Sequence, residues 1–369
     1  MNKKKIGIVI PSLNHGGAEK SALILADKLQ SEYESVDLIT LCKNSKKVEN
    51  ERVNLISLNK SRVLFSIFQL YKLIKIKEYN CIITGLSHLN LIILILNLFL
   101  KSSNKINLLL HFHNIPNINF LNFRERIINF IVFSFFKFLK LRNINIITVS
   151  NSIRDKISLD HNIDKKNISV IYPTIDFDKI DRLKLTKFPI DKNNEKIILS
   201  IGRLSKQKNH DLLIKSFAEV RKIIDCKLII IGDGKLKKNL KKLTKDLDIS
   251  NYVNFIEKTD NPYQYFNNSD LFVLSSLWEG FGLVLIEALY CEKKIVATNC
   301  PGSPKELLSG LETAHLSKNN DHVDLSIKII DMLNKKFDDD QLVKNKNKIK
   351  IQFSLSNHIN SYIKLINNS

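Results

Sequence analysis

Short apolar runs alternate with helically spaced stretches along the whole chain. In the first half, KKIGIVIPS (4–12) predicts a buried strand and loop, and GGAEKSALILADKLQ (16–30) a helix. SVDLITL (35–41), NCIITGL (80–86), INLLLHFHN (106–114) and NINIITVS (143–150) predict four more strands, with helical stretches between them. The second half repeats the pattern. EKIILSIGRL (195–204), CKLIIIGDG (226–234), YVNFIEK (252–258), SDLFVLSS (269–276), KKIVATNC (293–300) and ETAHLSK (312–318) read as strands. NHDLLIKSFAEVRKI (209–223) and KLKKNLKKLTKDL (235–247) read as helices. Near-continuous apolar strands that alternate with helices imply parallel sheets covered on both faces. The polar stretch 171–195, with Pro173 and Pro189, reads as a connection between the halves. The expectation is an α/β protein of two Rossmann-like, doubly wound domains facing each other across a cleft, with ligands at the C-terminal strand ends.

Composition narrows this picture. A chain of 369 residues, 44% hydrophobic and 25% charged, suits two folded domains. Cys42, Cys81, Cys226, Cys291 and Cys300 are odd in number and form no Cys-x-x-Cys pair. That argues for a reducing compartment, without a disulfide framework or structural zinc. The apolar run before Pro11 is too short for a signal-peptide core, and LNLIILILNLFL (89–100) is too short to span a bilayer. A cytoplasmic location is expected. The net charge of +20 suits nucleic acid, an anionic membrane surface or an anionic substrate. Residues 60–142 hold 12 Lys/Arg and 2 Asp/Glu, so this region carries most of the first half's excess. Its stretch 120–142, basic and rich in Phe, reads either as an interfacial helix or as a core helix with a charged outer side.

The candidate chemistry centres on SSLWEGFGLVLIEAL (275–289), where a strand passes through Glu279-Gly280-Phe281-Gly282 into a helix. Glycines allow a close backbone approach, and a helix start offers free N–H groups to an anion. Glu279 and Glu287, with seven residues between them, are acceptors suited to sugar hydroxyls. In SIGRLSKQKNHDLL, Arg203 and Lys208 follow a strand and precede a helix, where cations suit phosphate. IGDGKL (231–236) is a Gly-x-Gly turn without the third glycine of a dinucleotide fingerprint, and Gly16-Gly17 is a phosphate-type turn between the first strand and helix.

The Glu279/Glu287 pair, Arg203/Lys208, the Gly16-Gly17-Ala18-Glu19 loop and the strand end Val149-Ser150-Asn151-Ser152 together resemble a family 4 retaining glycosyltransferase of the GT-B fold. The likeness covers most of the chain and is strongest over 197–310. The runs 261–289 and CPGSPKEL (300–307) are similar to bacterial enzymes that build surface polysaccharide and lipopolysaccharide, and FSLSNHINSYIKLI (353–366) resembles the family's last helix, which returns to the first domain. The resemblance implies a nucleotide-sugar donor. Arg203, Lys208, Gly16 and Gly17 would hold its diphosphate. Glu287 would take the ribose, and Glu279 with Phe281, Gly282 and Leu283 the transferred sugar. His113, which fits better than His111, would orient donor sugar or acceptor beside Asn114. Retention in the family is usually ascribed to front-face attack with phosphate as the base. No metal and no cofactor are implied. The implied partners are a UDP-sugar, a lipid-linked or lipopolysaccharide-core saccharide and the inner membrane surface. Two departures stand out: Glu257 replaces the glycine often found after that strand, and GLETAHLSK replaces a Gly-rich turn.

The implied layout is an acceptor-binding domain over 1–180, a linker over 181–194, a nucleotide-sugar domain over 195–352 and a returning helix over 353–369. Two rivals remain at this point. A nucleotide-sugar epimerase would share the architecture but needs an acid/base constellation. A nucleic-acid-binding protein would explain the charge, but zinc spacing, an RNA-recognition signature and a base-reading basic helix are missing.

Overall fold

In the computed structural model the described residues are 2–13, 17–43, 52–100, 106–113, 123–139, 143–186, 195–257 and 259–368. The chain forms two compact units, one of residues 1–174 with 356–369, the other of residues 175–355.

The first unit runs β1 (Asn2–Ile10), α1 (Gly17–Leu29), β2 (Tyr33–Cys42), β3 (Asn54–Lys60), α2 (Ile67–Lys77), β4 (Cys81–Thr84), α3 (Ser87–Phe99), β5 (Asn107–Phe112), α4 (Phe123–Leu139), β6 (Ile144–Thr148), α5 (Asn151–His161) and β7 (Ile168–Val170). Its seven strands lie in the order β3-β2-β1-β4-β5-β6-β7. All pairings are parallel, with Ile8 opposite Leu38 on one side and Ile83 on the other. The central strands are apolar on both faces because helices cover both, so Ile6, Leu38, Leu108 and Ile146 are fully buried.

The second unit runs α6 (Phe177–Leu183), β8 (Lys196–Ile201), α7 (His210–Arg221), β9 (Cys226–Ile231), α8 (Lys237–Asp246), β10 (Val253–Ile256), α9 (Tyr263–Asn268), β11 (Leu271–Leu274), α10 (Leu283–Tyr290), β12 (Lys294–Thr298), α11 (Pro304–Leu308), β13 (Ala314–Ser317), α12 (His322–Asn334) and α13 (Asp339–Gln352). Its sheet has the order β10-β9-β8-β11-β12-β13, again parallel. The order reverses between β8 and β11, the point where open α/β sheets bind ligands. Leu213, Phe217, Leu228 and Ile329 fill one side of this core.

The last helix, α14 (Leu355–Asn367), contributes to the first unit from Ser356 onward. Its Tyr362 hydroxyl lies 3.0 Å from His111 Nε2, and Asn107 Nδ2 donates to Leu365 O at 3.3 Å. Lys4 Nζ donates to Ile366 O at 2.7 Å.

By its contacts the chain divides after Thr174, so α6 packs with the second unit. Asp176 caps α6 by accepting from Lys179 N at 2.9 Å. Phe177 packs 4.4 Å from the Tyr290 ring, and Tyr290 donates to Asp181 at 2.6 Å. A polar sequence thus hides a capped helix whose apolar residues face the second core. Residues 187–194 lie outside the described set.

Candidate active site

The ends of β8 and β11 bring together most of the residues marked from the sequence. After β8 the backbone enters a short 3₁₀ turn, Lys206–Lys208, before α7. After β11 the chain crosses Ser275–Gly282 and enters α10, with Gly282 at the N-cap in the left-handed region, φ +73°. The two loops are laced together. Leu277 N donates to Gln207 O at 2.8 Å, Gln207 Nε2 to Trp278 O at 3.0 Å, and Ser275 Oγ to Lys208 O at 2.9 Å.

This lacing places Lys208 beside Glu279. Lys208 Nζ donates to Glu279 Oε1 at 2.6 Å, and Ser276 Oγ donates to the same oxygen at 2.5 Å. The pair is largely buried, with 15% of the Lys208 and 5% of the Glu279 side chain exposed. Two donors on one oxygen fix the carboxylate, while Oε2 accepts from no described residue. Glu279 N donates to Pro301 O at 2.9 Å, so the loop after β12 supports the turn from behind. Cys300 lies in this support. Burial, and then the charge of Glu279, push its thiol up to about 12, which keeps it protonated and inert.

Arg203 stands on the same loop as Lys208, with its side chain exposed and, among the described residues, in no ion pair. Phe281 is buried, edge-on to Phe353 at 5.6 Å, and Ser303 Oγ donates to its carbonyl. Gly282 and Leu283 begin α10, whose dipole adds positive potential at this corner. Glu287, one turn further, accepts from the Tyr263 hydroxyl at 3.2 Å. Burial and then the Glu287 charge raise the Tyr263 pKa, so it remains a donor. The sequence pattern marked the two glutamates but missed Ser276 and Tyr263, which orient them. Only their places, at a strand end and in Asn261-Pro262-Tyr263, gave any signal.

The Gly-x-Gly turn after β9 serves packing. A Cβ at Gly232 or Gly234 would lie closer than 3.0 Å to the carbonyl oxygen of Gly202 or Leu204, so these glycines let the β8 and β9 loops touch. Glu257 forms an ion pair with Lys237, which accounts for a carboxylate at this strand end.

The first unit carries a different arrangement. At the ends of β1, β4 and β5 lies a cavity of about 110 Å³ lined mainly by apolar groups, among them Ile10, Pro11, Ala22 and Leu86, with Glu19, His111 and His113 among its polar positions beside Ser21, Thr84 and Tyr362. His111 stacks between His113, at 5.5 Å, and Tyr362, at 5.4 Å. Burial pulls His113 down to about 4 and His111 well below its ordinary value. Both rings are therefore neutral near pH 7, so His113 suits hydrogen bonding rather than acid catalysis. Gly17 opens α1, while Gly16 and Asn114 lie outside the described residues. Among the described residues no cluster of three or more His, Cys, Asp or Glu could hold a metal ion, and no helix is long and apolar enough to cross a membrane.

Two family models match consecutive parts of the chain: "Glycosyltransferase Family 4" over residues 15–179 and "Glycosyl transferases group 1" over 183–349. The chain belongs to the family 4 glycosyltransferases. Its fold is the two-domain GT-B fold. Among its relatives is the N-acetylgalactosamine-N,N'-diacetylbacillosaminyl-diphospho-undecaprenol 4-alpha-N-acetylgalactosaminyltransferase of Campylobacter jejuni, 28% identical, with the match covering 82% of this chain and 83% of the relative. A second enzyme of that organism, a GalNAc-alpha-(1->4)-GalNAc-alpha-(1->3)-diNAcBac-PP-undecaprenol alpha-1,4-N-acetyl-D-galactosaminyltransferase, is 26% identical over 98% of both chains. The crystal structure of Anabaena HepE in complex with UDP superposes with a TM-score of 0.81 at 17% identity, over 99% of this glycosyltransferase and 100% of HepE. These findings lend no support to the epimerase or nucleic-acid readings.

Proposed function

We propose that this glycosyltransferase moves a hexose or N-acetylhexosamine from a UDP-sugar to a lipid-linked saccharide, with retention of anomeric configuration and without a metal ion, at the inner face of a membrane. The observation that carries the reading is the corner where Lys208, Glu279 and the start of α10 meet at the β8/β11 switch point. Arg203, Lys208 and the first amides of α10 take the diphosphate. Their positive charge stabilises the leaving group, the task a divalent ion would otherwise perform. Glu279, whose Oε2 remains available, and the backbone of Phe281, Gly282 and Leu283 take hydroxyls of the transferred sugar. Glu287, held by Tyr263, takes the ribose hydroxyls. His113, neutral and half-buried, donates or accepts one hydrogen bond to a sugar, Gly16 and Gly17 are assigned to the diphosphate, and Asn114 to the acceptor. Attack on the same face as the departing phosphate gives retention. The relatives' names, two of them undecaprenol-linked saccharide transferases, support a lipid-linked acceptor.

The test is transfer from a panel of radiolabelled UDP-sugars to membrane-extract lipids in excess chelator, with product anomers read by NMR. Labelled glycolipid of unchanged anomeric configuration is expected. Activity lost on chelation and restored by a divalent ion would remove the metal-free reading, and an inverted product the retaining one.

A further inference from the structure

A column of aromatic rings runs from the first-domain cavity to the returning helix α14. His111 and His113 lie two residues apart at the end of β5, so extended backbone puts both rings on one side of the sheet, with Phe112 on the other side against Phe133 at 4.9 Å. His358 and Tyr362 lie four residues apart on α14 and share one helical face. Ring centroids are separated by 5.5 Å from His113 to His111, 5.4 Å from His111 to Tyr362 and 5.1 Å from Tyr362 to His358, so the four rings are continuous.

The polar rings do more than anchor α14. Ile359 and Ile366 already bury its apolar side, and Lys4 and Asn107 already hold its last carbonyls. Burying hydroxyl and imidazole groups costs desolvation unless each finds a partner, and here the partners are matched. Burial raises the Tyr362 pKa, so the hydroxyl keeps its proton and donates to His111 Nε2 at 3.0 Å. His111 is neutral and therefore carries its own proton on Nδ1. His358 Nδ1 donates to Tyr172 O at 2.7 Å, which holds its ring edge-on to Tyr362. The backbone of His111 is fixed as well. Asn90 Nδ2 donates to its carbonyl at 2.9 Å, and the Thr84 hydroxyl donates to Asn90 Oδ1. His113 stacks on this braced ring. Gly85 stands beside its Nε2, where a Cβ would lie 3.5 Å away, which leaves room for a ligand hydroxyl at that nitrogen. A satisfied buried network specifies one geometry, and this one ends on the ring assigned to a sugar.

We infer that Tyr362 is a positioning residue for the saccharide site: its hydroxyl fixes the His111 ring, and the His111 ring sets the orientation in which His113 meets a sugar hydroxyl. This deepens the proposed role of His113 and rests on it. The first test needs no transfer. Nitrogen NMR of the full chain labelled at histidine reports which imidazole nitrogen carries the proton, with His111→Asn and His113→Asn variants assigning the two rings. The wild type should show His111 protonated on Nδ1. Tyr362→Phe keeps the ring and removes the hydroxyl, so the signals of both His111 and His113 should move. The second test is steady-state transfer to membrane-extract lipids. In Tyr362→Phe kcat should fall about tenfold, the order expected when a group that contacts substrate is slightly misplaced. The KM for the UDP-sugar and the affinity for UDP should stay at wild-type values, because the diphosphate is assigned to Arg203, Lys208 and α10. A helix anchor alone predicts a lower melting temperature with unchanged kcat and unchanged His113 signals, and that result overturns the inference. A wild-type His111 protonated on Nε2 overturns it too, and needs no variant to fold. A wild type that transfers no sugar counts against the enzyme reading, and the imidazole signals then decide the positioning by themselves.

Discussion

At the ends of β8 and β11, Lys208, Ser276 and Glu279 form a buried charged cluster beside a helix start. At the ends of β1, β4 and β5 the corresponding place holds neutral histidines around an apolar cavity. The two domains share a parallel-sheet plan, yet their strand ends differ in what they cost and in what they bind. A buried lysine and glutamate are expensive to desolvate and are kept in place by each other and by the laced loops. Neutral histidines need no counter-ion, and this place, with Glu19 as the one ionisable carboxylate among its described residues, suits the hydroxyls of an uncharged ligand part. The difference matches the proposed function, on which the phosphates would sit with the second domain and the saccharide acceptor with the first.

The comparison breaks most visibly at Lys208. Lys208→Ala leaves the Glu279 carboxylate buried without its partner, and removing one member of a buried pair typically costs about 3–5 kcal/mol. Chemical unfolding should show a loss of that order. UDP affinity should fall by about 1.5–3 kcal/mol, the usual worth of a hydrogen bond to a charged group. Lys208→Ala/Glu279→Gln should recover most of the stability and none of the affinity. Equal stability in all three proteins would show that the pair is not the distinguishing feature of the second domain.

Acid tests the other half of the contrast. His113 has its folded pKa lowered to about 4, against about 6.5 in the unfolded chain, so between these values the unfolded state binds more protons. The stability it contributes is complete above about 6.5 and is lost as pH falls towards 4, on the order of 3 kcal/mol at the lower end. His111, His161 and His358 are also lowered, chiefly by burial, so among the described residues the first domain carries four such groups. The second domain carries two: His210 falls to about 4 by burial and then the charge of Lys208, and His315 is lowered chiefly by burial. The first domain should therefore unfold first on acidification, as read by hydrogen exchange over its strands. His113→Asn should flatten part of that dependence, and an unchanged pH profile would remove the neutral-histidine account.

A third perturbation strikes the support behind Glu279. Gly302 has φ +122°, and a Cβ there would fall closer than 3.0 Å to the carbonyl oxygen of Glu279. Gly302→Ala should cost roughly 1–3 kcal/mol of stability through backbone strain. It should also lower transfer activity by moving the turn, with the first-domain cavity unaffected. Wild-type activity and melting temperature would show that the turn tolerates displacement.

The sequence disclosed much of this arrangement, and what it hid has physical causes. Central strands such as CKLIII and LLLHF are legible because burial on both faces makes them continuously apolar. The two edge strands of the first sheet escaped. β3, NLISLNK, is only partly buried, and β7 is three residues long, so neither shows the expected apolar run. Helix α6 escaped because its short apolar side is diluted by Asp176, Asp178, Asp181 and Arg182. Glu279 and Lys208 were each visible as a charge on a strand-end loop. Their pairing was not, because it joins residues 71 apart and depends on the β8–β11 adjacency. Ser276 and Tyr263 read as ordinary residues until the fold set them against a carboxylate.

The finest distinction within the second domain lies between its two glutamates. Glu279 is held by an ammonium group and a hydroxyl, Glu287 by the Tyr263 hydroxyl at 3.2 Å. If Glu287 meets the ribose, Tyr263 sets the orientation of its carboxylate and does not itself touch the nucleotide. Tyr263→Phe removes one hydrogen bond to a charged acceptor while keeping the ring, so its effect on stability should be about 1.5–3 kcal/mol. The more telling measurement is calorimetry with UDP and 2′-deoxy-UDP. The variant should bind UDP several-fold more weakly, because the carboxylate is less well aimed. Its loss against 2′-deoxy-UDP should be smaller, because one of the two hydroxyls Glu287 would grip is already missing. A variant that weakens both ligands equally would place Tyr263 against another part of the nucleotide. One that weakens neither would take Glu287 out of the ribose pocket, leaving Glu279 and Lys208 as the part of the second domain on which donor recognition rests.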